Sequence, residues 1–80
     1  MKKSEMTMKF MAQDIEYQEE MVAKLKEYLV QDTANASSKY DFSDIARKAS
    51  ELASEIQKLE TMKENYSRVE KIISYMEEEK

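Results

Sequence analysis

The chemistry open to this chain is confined to oxygen and amine groups, because its 80 residues include no His, Cys, Gly, Pro or Trp. Without His and Cys, the commonest metal ligands, the usual general base and the usual thiol nucleophile are missing. No disulfide framework can form. Without Gly there is no phosphate-cradling loop, dinucleotide fingerprint or nucleophile elbow. What remains is carboxylate: Glu16, Glu19 and Glu20, or Glu77, Glu78 and Glu79, carry the oxygen ligands that a hard cation takes. Carboxylate-bundle metal sites, however, combine inward-facing Glu with a Glu-x-x-His motif, and these glutamates fall on polar helix faces. Lys63 and Glu70 interrupt an apolar seam described below. A catalytic Lys63 requires burial and a depressed pKa; a stripe that moves around the helix, or charges that fix register, account equally for both residues. The sequence predicts a non-enzymatic protein with no metal, no cofactor and no evident small-molecule substrate.

The elements that would position any such group are helical. Charged residues make up 38% of the chain and the net charge is -4, with a mean hydropathy of -0.82, a balance that disordered chains share. Yet 41% of residues are hydrophobic, and they recur at helical spacing. Ala, Leu, Glu, Lys, Met and Gln favour helix, and the breakers Gly and Pro are absent. A sheet protein of this size needs several tight turns marked by Gly, Asn-Gly or Pro. The expected fold class is all-α, as one domain.

In the first half, Met8, Met11, Ile15, Gln18, Val22, Leu25 and Leu29 follow alternating steps of three and four. This is an a/d seam with one polar interruption, Gln18. With Met8 at a, Phe10 and Tyr17 lie at c, and Met21 and Tyr28 at g. The apolar arc is therefore wide, and a helix with such an arc buries it against at least two neighbours. Residues 33–39, Thr-Ala-Asn-Ala-Ser-Ser-Lys, form the one segment dense in small polar residues and read as the sole loop. Asn35 is the best left-handed helix stop where Gly is lacking. Asp41 reads as the next N-cap, with Ser43 as a competing cap two residues on, and Tyr40 and Ile45 are spaced as a hydrophobic staple.

The second helix keeps an apolar d row, Ile45, Leu52, Leu59, Tyr66 and Ile73. Its companions change midway: Phe42, Ala49 and Ile56 at a, with Ala46 and Ala53 at e, give way to Met62, Val69 and Met76 at g. The stripe is expected to rotate along the helix, as suits a helix with different neighbours along its length. Helices over about 4–32 and about 41–78, joined by a loop over about 33–40, predict an antiparallel hairpin. A turn centred near Ser37 sets Leu29 opposite Ile45, Val22 opposite Leu52, Ile15 opposite Leu59, Met8 opposite Tyr66 and Gln18 opposite Ile56. Lys2 and Lys3 then approach Glu77, Glu78 and Glu79, offsetting the conflict of each cluster with its own helix dipole.

Two helices enclose no core, and a chain this short rarely gains more than ~3–5 kcal/mol from one without staples. Self-association is therefore expected, most simply two hairpins making a four-helix bundle about a two-fold axis, although another helical protein would supply the same surface. The candidate apolar interface is Phe10, Tyr17, Met21, Tyr28, Met62, Tyr66, Val69 and Met76. The expected function is a protein–protein interaction module (adaptor, chaperone or regulator) that docks helices through Met and aromatic anchors.

The alternative is nucleic-acid binding, since a two-helix hairpin dimer resembles, at fold level alone, the Rop-type RNA-binding bundles. In such bundles basic and aromatic residues share one face; the matching candidates here are Lys2, Lys3, Lys9 and Phe10, or Arg47, Lys48 and Lys58. All are interleaved with acids. Residues 1–40 hold six basic and seven acidic side chains, and residues 41–80 seven and ten, so no positive stripe emerges. No apolar run reaches the ~20 residues of a membrane span, and no h-region follows Lys2 and Lys3. The expected location is the cytoplasm.

Overall fold

The computed structural model describes residues 2–78 and is an antiparallel hairpin of two helices, α1 (Lys3–Asn35) and α2 (Lys39–Glu78). Among the described residues there is no strand. Both helices run further into the turn than residue types alone indicate, and the connection shrinks to residues 36–38.

Two local devices make this short turn, and neither is the one expected. Asn35 is not a left-handed stop: no described residue has positive φ. Instead Ala36 turns extended (φ -67°, ψ 130°) and its N–H bonds to the Thr33 carbonyl at 3.3 Å. Nor is Asp41 the N-cap. The Ser38 hydroxyl accepts a hydrogen bond from the Asp41 amide at 3.2 Å, while the Asp41 carboxylate accepts from the Ser38 and Ser37 amides, each at 3.1 Å. This is a reciprocal capping box, with Ser38 at the cap and Asp41 three residues on. Starting the helix earlier removes the staple as well, and Tyr40 stands exposed.

Packing follows the heptad of α1 as expected. Met8, Met11, Ile15, Leu25 and Leu29 are half-buried, and Gln18 and Val22 are buried at 3% and 5% exposure. In α2 the covered residues are Ile45, Lys48, Leu52, Glu55, Leu59, Met62, Tyr66, Val69 and Ile73. These alternate by three and four from end to end, so the stripe does not rotate: it holds d and g throughout. Phe42, Ala46, Ala49 and Ala53 are exposed, and only Ile56 of that set is half-buried. The physical reason is continuity. A seam that advances in alternating threes and fours stays on one side of a gently supercoiled pair, and a few alanine methyls gain too little from burial to displace it. Lys48 and Glu55 keep their seam places by laying alkyl stems along the partner helix and directing their polar ends to neighbours.

The register matches a turn centred near Ser37, with one refinement: Gln18 meets Glu55 rather than Ile56. Its amide donates to the Glu55 carbonyl at 3.1 Å and to the Glu55 carboxylate at 2.6 Å. The most enclosed side chain of the hairpin is thus polar, and no buried side-chain polar atom among the described residues lacks a partner. The Cα envelope measures 64 × 18 × 13 Å with a radius of gyration of 18.3 Å, against about 12 Å for a compact domain of this length. Two helices side by side make a single layer, so nothing in the described hairpin covers either broad face.

Candidate protein-interaction face

Helical periodicity and the contacts between helices assign each flank to a face. At 100° per residue, the c and g positions of α1 are centred about 110° from its a/d seam, on the side opposite the e positions. Glu19 at e reaches Lys63 at 4.0 Å, so the e flank of α1 and the a flank of α2 share one face. The Lys48 ammonium pairs with Asp32 and lies 3.9 Å from Asp44, which places the g and c flank of α2 on the other face, beside the c and g flank of α1. All eight candidate interface residues fall on this second face or in the seam that borders it.

Their burial separates them into two groups. Met62, Tyr66 and Val69 are half-buried, because the continuous d/g stripe presses them against α1; they serve mainly to close the hairpin. Phe10, Tyr17 and Tyr28 stand out from α1 at 55%, 67% and 60% exposure, with Met21 half-buried between them. Met76 is exposed at the open end of the rod. There it lines a groove of about 570 Å³ with Lys2, Lys3, Ser4, Thr7, Val69, Ile73 and Glu77. Lys2 and Lys3 thus line the same groove as Glu77, near one another as expected, while Glu79 lies outside the described residues. A second, smaller depression of about 260 Å³ lies on α1 alone, between Tyr17, Glu20, Met21, Lys24, Leu25 and Tyr28.

Residue type does not single out two charged members of this flank, Asp14 at g and Lys24 at c, which alternate with the apolar side chains at heptad spacing. The exposed Ile72 and Tyr75 near the end of α2, and Val30 of α1, likewise lie outside the set expected from the heptads. Their exposure follows from the seam's position, which composition does not reveal.

At the loop end the same face is polar. Asp32, Asn35, Asp41, Asp44, Ile45 and Lys48 line a small corner. The Asp41 carboxyl is held below its ordinary value of 3.8, chiefly by the Ser37 amide and then by the hydroxyl and amide of Ser38. The Lys48 ammonium is pushed above 10.5, first by its hydrogen bond to Asp32 and then by the charges of Asp32 and Asp44. These groups are solvated and committed to capping and ion pairing. Among the described residues no cluster of His, Cys, Asp or Glu has the arrangement of a metal site. No described helix is long and apolar enough to cross a membrane.

Surface area gives a further constraint. The chain exposes 6622 Å², whereas a compact protein of 9.5 kDa exposes about 5,000 Å². The surplus, about 1,600 Å², exceeds the ~800 Å² that each partner contributes to an interface of standard size. No protein-family model matches the chain, and comparisons with curated proteins and with solved structures also return no match.

Proposed function

We propose that this protein is a non-enzymatic interaction module whose working surface is the c/g flank of α1. The observation that carries the reading is the row of Phe10, Tyr17, Met21 and Tyr28 along one uncovered side of a helix whose other apolar side is already closed by α2. Aromatic and Met side chains are the usual anchors where one helix docks on another. A single-layer rod with surplus surface provides a long track for such a helix.

Photo-crosslinking in the native cell tests this reading. A photoreactive aromatic residue at Tyr17 is expected to yield discrete protein adducts, with another copy or with a different protein. The same residue at Ala49, on the opposite face, is expected to yield few. Absence of adducts from Tyr17, or equal adducts from both positions, would overturn the reading.

A further inference from the structure

The flank of α1 that carries the interaction reading has a pattern that specifies its occupant. Along c and g the sequence is Phe10, Asp14, Tyr17, Met21, Lys24, Tyr28: apolar, acid, apolar, apolar, base, apolar. Reversed, it has the same form, with acid and base exchanged. We infer that the occupant is a second copy of this chain, with the two α1 helices antiparallel about a two-fold axis level with residue 19. That register sets Phe10 against the partner's Tyr28, Tyr17 against the partner's Met21 and Asp14 against the partner's Lys24, each twice by symmetry.

Three features fit this one register. Residue 19 is the midpoint of α1, which runs Lys3–Asn35, so the two helices overlap along their whole length with no unpaired end. The steps between c and g positions, four and three in alternation, are themselves palindromic, so every side chain in the row meets one of matching kind. The depression between Tyr17, Glu20, Met21, Lys24, Leu25 and Tyr28 lies at the level where the partner's Tyr17 and Asp14 arrive, as a hole receives knobs in antiparallel helix packing. A parallel pairing of α1 helices sets Asp14 against Asp14 and Lys24 against Lys24, which repels. Pairing α1 with the partner's α2 at equal heights opposes Asp14 to Lys58 and Lys24 to Glu51, but sets Tyr17, Met21 and Tyr28 against Lys48, Glu51, Glu55 and Lys58, with Met62 the one apolar residue at that level of the α2 flank. Among two-fold arrangements on this flank, the antiparallel α1 pair alone sets apolar side chains against apolar ones and also opposes Asp14 to Lys24.

The inference rests on the reading of this flank as an interaction face, and sedimentation with spin labels separates the failure of one from the failure of the other. The wild-type chain is expected to sediment as a dimer that dissociates on dilution. Asp14→Lys alone and Lys24→Glu alone are each expected to weaken the dimer roughly tenfold, since each creates two like-charge contacts. The double variant D14K/K24E is expected to restore it to within about threefold of wild type. Circular dichroism of each variant confirms that α1 remains helical. Since the chain has no Cys, single labels at Lys9→Cys and Glu16→Cys report register directly, with axial offsets of about 30 Å and about 9 Å in the dimer. Short distances at both sites, or a double variant as weak as the singles, would overturn the antiparallel register. A wild-type chain monomeric at millimolar concentration would overturn the second copy as occupant, while crosslinks from Tyr17 to a different protein would leave the face itself standing. A dimer unaffected by Met21→Glu would place the self-contact elsewhere and overturn the second copy as occupant of this flank.

Discussion

On one face of the hairpin Glu19 and Lys63 meet across the two helices, with Ala46, Ala49 and Ala53 nearer the turn along the same side of α2. On the other, Phe10, Tyr17 and Tyr28 line α1, with Asp14 and Lys24 spaced among them. Both faces are wet in the single hairpin. They differ in what burial would return. Apart from Phe42 at its turn end, the first face offers alanine methyls and a solvated ion pair, with little area and little Coulomb energy, whereas a row of aromatic side chains offers a large apolar surface with few rotamers to freeze. Exposure alone therefore does not mark an interface; exposure of side chains that are worth covering does.

The largest expected break in this comparison comes from placing one carboxylate on each face in turn. Met21→Glu is expected to weaken self-association by roughly 30-fold or more, because it removes an apolar anchor and leaves a covered charge without a partner. Ala49→Glu is expected to leave it within about threefold, and analytical ultracentrifugation reads both. Next is Gln18→Ala, on the seam that both faces share. Without its two hydrogen bonds to Glu55 and its packing, the hairpin is expected to be about 1–3 kcal/mol less stable in chemical denaturation. Ser38→Ala, which deletes one half of the capping box, is expected to cost about 1 kcal/mol. Lys63→Ala tests the face of alanines, and its expected cost is about 0.2–1 kcal/mol, shrinking further in high salt.

The smallest expected effect is a pH dependence at the loop end. Asp41 has a folded pKa below its ordinary 3.8. Its contribution is therefore fully present above 3.8 and fades as pH falls through the lower folded value. Lys48 behaves oppositely: with its folded pKa above 10.5, its contribution is complete below 10.5 and is lost as pH rises through the folded value. Thermal melts of wild type and Asp41→Asn are expected to converge in strong acid and to separate above about pH 4, the side on which the carboxylate is charged in both states. If the gap between them is constant with pH, the carboxylate charge at the cap contributes nothing.

How far the sequence anticipates this arrangement depends on whether a signal is periodic or local. The α1 seam from Met8 to Leu29 and the d row of α2 are legible because many successive turns repeat the same message. The rest of the α2 stripe is not. Phe42, Ala46, Ala49 and Ala53 are apolar by type, but the seam passes through Lys48 and Glu55, whose long stems pack while their polar ends find Asp32 and Gln18. Residue type points one way and heptad position the other, and position prevails in the fold. At the turn, Asp41 is legible as a capping residue, but its end of the box is not, because an acid can serve either as cap or three residues inside it. Of the interaction face, Phe10, Tyr17, Met21 and Tyr28 are legible as a broad apolar arc. The roles of Asp14 and Lys24 emerge only once it is known which flank α2 leaves open.

The three-residue turn also bears on the order in which the hairpin assembles. Across it, contacts lengthen steadily in sequence, from Lys48 with Asp32, 16 residues apart, to Gln18 with Glu55, 37 apart. If each heptad closes on the one before, no step encloses a long loop, and the chain entropy is surrendered in small increments. Folding then proceeds as a zipper from Ser38 towards the open end, and fluctuation runs the opposite way. Amide exchange is expected to be fastest near Met76 and to slow towards the heptads of Leu29 and Ile45 beside the turn, so the groove at the open end belongs to the part of the rod that opens most often.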